Sequence, residues 1–93
     1  MTGRDPEDAV RAAAAGRWAL VDLRDAQRKV AEATAARNAA IRQMHDAGWR
    51  PPVIARSLAA TAAAAGMSEA EIAQLGISEH NVRFVLRTAG LAE

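Results

Sequence analysis

The chain has no cysteine and no tyrosine, and it holds only one phenylalanine, two tryptophans and three prolines in 93 residues. The missing cysteines exclude disulfide staples, thiolate metal sites and a cysteine nucleophile, and they fit a reducing compartment. The shortage of aromatics leaves little to fill a large core, because alanine supplies about half of the 51% hydrophobic content and removes little apolar area from water. No apolar run reaches the 18 or so residues of a membrane span, and Met1 to Asp8 is polar and acidic, unlike a secretory leader. A cytoplasmic protein without membrane contact is expected. A net charge of +1 does not announce a polyanionic partner by itself. No serine–histidine–acid grouping, paired carboxylates, phosphate-cradling glycine loop or metal-ligand spacing occurs. His45 and His80 are the only histidines, so no enzyme, cofactor or metal site is expected.

What remains is helix signal. Asp5-Pro6-Glu7-Asp8 reads as a helix start, with Asp5 as cap, Pro6 at the first position and two acids at the positive end of the dipole. The next strong stop is Ala47-Gly48; Gly16 alone interrupts and weakens the helix without ending it. After the Trp49-Arg50-Pro51-Pro52 turn, Val53 to Ala65 reads as a helix with Val53, Ile54, Leu58, Ala62 and Ala65 on one face. Gly66 closes it. Ser68 and Glu71 form a capping-box pattern for a third helix, Glu69 to Leu75, and Ser78 caps a fourth that runs to about Thr88. No strand pattern appears. The expected fold is all-α: a long, coiled-coil-like helix over 1–48, then a three-helix unit over 49–93.

The second half of the long helix carries a 3,4 repeat: Leu20, Leu23, Gln27, Val30, Thr34, Arg37, Ile41 and Met44 fall on successive a and d positions. Ala19, Ala26, Ala33 and Ala40 line one flank. Leu20, Leu23, Val30, Ile41 and Met44 are therefore expected to pair two copies in a homodimer, which suits a thin core. Packing of the same stripe onto its own domain is the competing reading. Trp18 lies off the seam and is a candidate for contact with another protein; Trp49, at the junction, is expected to pack the long helix onto the rest.

The segment Gly66 to Leu86 meets the physical needs of a helix-turn-helix. Ile72-Ala73 stand in a first helix, Leu75-Gly76-Ile77 form a short turn, Ser78 is a cap, and Val82, Val85 and Leu86 face inward. Gly66-Met67-Ser68, Glu71-Ile72-Ala73 and Leu75 to His80 with Val82-Arg83-Phe84 resemble the DNA-binding domain of LuxR-type response regulators. That resemblance covers roughly the last 40 residues. It implies a supporting helix over Pro52 to Ala65, a positioning helix over Glu69 to Leu75 and a recognition helix over Ser78 to Arg87. Ala73 stands only three residues before Gly76, one fewer than is usual in the family, so the positioning helix should be short or tightened. In a second register, Ala47-Gly48-Trp49 with Ile54-Ala55 and Leu58 resembles small resolvase-like helix-turn-helix proteins. It requires an insertion of over a dozen residues, and the first register is preferred.

The resemblance implies double-stranded DNA as partner, with the recognition helix in the major groove. Asn81 pairs well with adenine, Arg83 and Arg87 with guanine or phosphate, and Ser78 with phosphate through the helix start. Glu79, His80 and Arg50 complete the set of candidate contacts, beside plainer roles as dipole partner or solvated surface. The expected function is a homodimeric transcriptional regulator, a repressor or phage-type control protein. The alternative is a protein interaction or adaptor module that acts through the long helix, with the helix-turn-helix as scaffold only.

Overall fold

The computed structural model describes residues 6–91, of which 81% are helical, with no strand among them. The protein is all-α: a long N-terminal helix is followed by three shorter ones. Helix α1 (Pro6–Asp46) runs 41 residues without a break at Gly16 and has Glu7 and Asp8 in its first turn. Asp5, the expected cap, lies outside the described residues. At the other end Gly48 adopts φ +95. Its N–H donates to the His45 carbonyl at 2.9 Å, and the next, on Trp49, donates to the Met44 carbonyl at 3.1 Å. These paired bonds satisfy carbonyls that a helix end leaves bare. Gly66 and Gly90 close their helices in the same way.

Helix α2 (Pro51–Ala64) begins two residues before the expected Val53, because two prolines occupy its first turn, where a missing N–H costs nothing. Helix α3 (Glu69–Ala73) has the full capping box: Ser68 Oγ accepts from the Glu71 N–H, and the Ser68 N–H donates to Glu71 Oε1 at 2.8 Å. Its last turn is tightened as the spacing to Gly76 predicts, with Gln74 and Leu75 donating three residues back to Glu71 and Ile72. Helix α4 (Glu79–Thr88) is capped by Ser78, which accepts from the Asn81 N–H.

The chain divides into two units between Ala35 and Ala36, so the boundary falls inside α1 rather than at residue 48. Up to Ala35 the helix buries nothing: Leu20, Leu23 and Val30 are 66%, 58% and 65% exposed, and Val10 and Trp18 are exposed as well. The second unit has a core of Ile41, Ile54, Val82, Val85 and Leu86, with Met44, Ala55, Leu58 and Leu91 packed against it. Each large side chain fully buried there contributes on the order of 1.5–3 kcal/mol.

Two expectations are corrected by this core. Ile41 and Met44 are core residues of the second unit, not seam residues, because the end of α1 closes over α2 and α4. Val53 and Ala65 are exposed while Ile54 and Ala62 are buried, which narrows the inner face of α2. The helix packed against α4 is α2, the segment expected as its support, while α3 has five residues and buries none of them. Residues 65–78, including α3, lie between α2 and α4 in the chain. Trp49, expected to pack the long helix onto the rest, is 42% exposed, lies outside the buried core, and lines a cleft of about 200 Å³ with His45, Arg50 and Pro51. No helix among the described residues is long and apolar enough to cross a membrane.

Candidate nucleic-acid interface

Val82, Val85 and Leu86 point α4 inward, at 0%, 6% and 1% exposure. At about 100° per residue, that leaves His80, Phe84 and Arg87 on the side opposite the core. Arg83 and Asn81 flank them, and Glu79 and Ser78 stand at the helix start. Of these, Ser78, Glu79, His80, Phe84 and Arg87 are exposed, and Asn81 and Arg83 are half-buried.

The turn before α4 is held from two sides. Arg37 of α1 donates through Nη1 to the Leu75 carbonyl at 3.0 Å, while its Nε and Nη2 are fixed on Asn38 Oδ1 at 3.0 and 2.8 Å. The Asn81 side-chain amide donates to the Gly76 carbonyl. Between them Gly76 sits at φ +70, and a Cβ there would collide with Arg37 Nη1. Only glycine meets both conditions without strain. A cation bonded to a turn carbonyl makes a strong, charge-assisted contact, so the direction in which α4 leaves the turn is set by Arg37 and Asn81 together.

Asn81 thus has a structural role: one N–H of its amide is held by the Gly76 carbonyl, and the residue helps to position α4. Arg83 lies along α4, donating from Nε and Nη2 to Glu79 Oε2 at 3.1 and 2.8 Å. That pairing steers the guanidinium toward the helix start and offsets the acid there. Arg87 occupies the last turn, where a cation suits the dipole. Arg50 precedes α2 and gives that helix no side-chain cap; it belongs to the α1–α2 turn and is not on α4.

Two features escaped the sequence pattern. Arg37 looked like a polar interruption of an apolar seam, and nothing local marks a bond to a carbonyl 38 residues away. Phe84 has no hydrogen-bonding group to mark it as a contact, although helical spacing alone places it outward; it is 54% exposed. An open, mostly apolar cleft of about 520 Å³ also lies between α2, α3 and the start of α4, lined by Ala55, Ala59, Ile72 and Ile77 with Arg56 and Glu79. No family model, no curated protein and no solved structure matches this chain.

Proposed function

We propose that the unit from Ala36 onward binds double-stranded DNA, with α4 in the major groove. One observation carries this above the others: α4 is a short helix anchored along its inner side by α2 and the end of α1, with its start fixed by Arg37 and Asn81. Its outward side presents His80, Arg83 and Arg87. A helix that enters a groove must be rigidly supported and must leave its polar side chains uncovered. The unit is close to neutral, with Arg37, Arg42, Arg50, Arg56, Arg83 and Arg87 set against Asp46, Glu69, Glu71, Glu79 and Glu93. Its affinity for phosphate is accordingly modest, and two linked units would multiply it.

Fluorescence anisotropy on random-sequence duplexes at low salt tests the proposal. Binding in the micromolar range or tighter is expected, since non-specific binders reach about 10⁻⁴ to 10⁻⁶ M even at physiological salt; no binding at tens of micromolar ends it. Arg87→Ala should lower affinity and reduce the slope of log K against log salt by about 1 if the side chain meets phosphate.

The second reading, a protein contact through α1, is favoured by Trp18, Leu20, Leu23 and Val30, which are large, apolar and exposed. A second copy of the chain is the partner that links the two readings, because a homodimer sets two α4 helices against half-sites about 10 bp or a multiple apart. Sedimentation at tens of micromolar should give twice the chain mass, and a monomer there would leave DNA binding to a single unit.

A further inference from the structure

We infer that Phe84 reads thymine: its ring meets the 5-methyl group of a thymine in the major groove, making it a specificity residue of the DNA-binding face proposed above, on which this inference rests. Phe84 is the chain's one phenylalanine, and it is withheld from a core that is short of aromatic volume. It stands 54% exposed in the second turn of α4. The inner side of that helix is already filled by Val82, Val85 and Leu86. With about 100° between successive residues, Phe84 lies on the far side from those three, between His80 one turn before it and Arg87 nearly one turn after it. The outermost side chains of a helix lying in a groove are the ones that reach base edges.

A ring at that apex cannot pair with phosphate and neither donates nor accepts the hydrogen bonds that read guanine or adenine. Among the groups displayed in the major groove, the thymine methyl is the apolar one. One N–H of the Asn81 amide is held by the Gly76 carbonyl, which draws that side chain toward the turn and away from the apex. Recognition at the middle of the face therefore falls to an apolar contact, flanked by the polar His80, Arg83 and Arg87.

Uracil tests this, because it lacks the 5-methyl group and keeps every pairing and phosphate contact of thymine. A duplex enriched from a random pool by the full-length protein is resynthesised with uracil at each thymine in turn, and affinities are measured by anisotropy. One or two positions per half-site should weaken binding by about three- to fivefold, the worth of one buried methyl group. In Phe84→Ala, affinity for the thymine duplex should fall to the uracil level and the difference should vanish, while Phe84→Leu keeps part of it. An unchanged melting curve shows that both variants fold. An enriched duplex with no uracil-sensitive position overturns the inference and leaves DNA binding standing, as does Phe84→Ala retaining full discrimination. A loss of self-association in Phe84→Ala without change in discrimination assigns the ring to a protein contact and also overturns it. Failure to enrich any duplex ends both proposals.

Discussion

Val30 and Ile41 lie eleven residues, about three turns, apart on the same helix, yet Val30 is 65% exposed and Ile41 is wholly buried. Both fall on the same 3,4 repeat. The difference between them comes from what folds back: Ile54, Val82 and Leu86 meet the helix near Ile41, whereas up to Ala35 no element of the described chain covers it. Hydrophobic periodicity records that a helix has an apolar side. It does not record which partner, intramolecular or not, that side was made for.

The largest effect should come from testing the buried end. Ile41→Ala removes a fully enclosed side chain from a small core and should cost about 2–5 kcal/mol, read as an early or lost cooperative transition in urea or on heating. A change below about 1 kcal/mol would mean that the end of α1 is dispensable, and the contrast with Val30 would collapse.

A smaller effect is expected at the turn that Arg37 holds. Gly76→Ala forces an L side chain into a left-handed conformation, at roughly 1–2 kcal/mol, and drives its Cβ against Arg37 Nη1. Arg37→Ala relieves the crowding but gives up the bond to the Leu75 carbonyl, a loss of about 1–2 kcal/mol for a partly buried, charge-assisted contact. The double variant should therefore be less damaged than the sum of the two, with a coupling of at least about 0.5 kcal/mol in equilibrium unfolding. Strict additivity would show that Arg37 does not restrain the turn.

These two sites also mark how much was legible in advance. Local chemistry predicted local structure well. Ser68 with Glu71, Ser78 as cap, the closing glycines and the inward set Val82, Val85 and Leu86 all stand where their spacing puts them, because each depends on atoms within a turn or two. Packing choices over longer separations were not readable. The capping box marks where α3 starts but says nothing of how much it buries, and no local signal marks the packing of α4 on α2. Nothing local marks the bonds of Asn81 and Arg37 either, since their partners are carbonyls of a turn whose path only the fold defines. The candidate site was thus half legible: its helix and outward side were, and the division of labour along it was not.

The smallest expected effect lies at Val30, and its sign decides more than its size. Alanine exceeds valine in helix propensity by about half a kcal/mol, because the branched side chain loses rotamer freedom against the preceding turn. In a solvent-exposed helix, Val30→Ala should therefore raise helix content slightly at dilute protein and leave unfolding of the second unit unchanged within about 0.5 kcal/mol. If Leu20, Leu23 and Val30 pair with a second copy, the same substitution removes two methyl groups from the seam of each chain. Its effect must then reverse as the concentration rises, lowering the melting temperature relative to wild type. Circular dichroism melts at about 1 and 100 µM, spanning the affinity of a weak dimer, separate the cases. A crossover in sign makes the exposed half of α1 an association surface, and a concentration-independent gain in helix would leave it an unpartnered extension of the second unit.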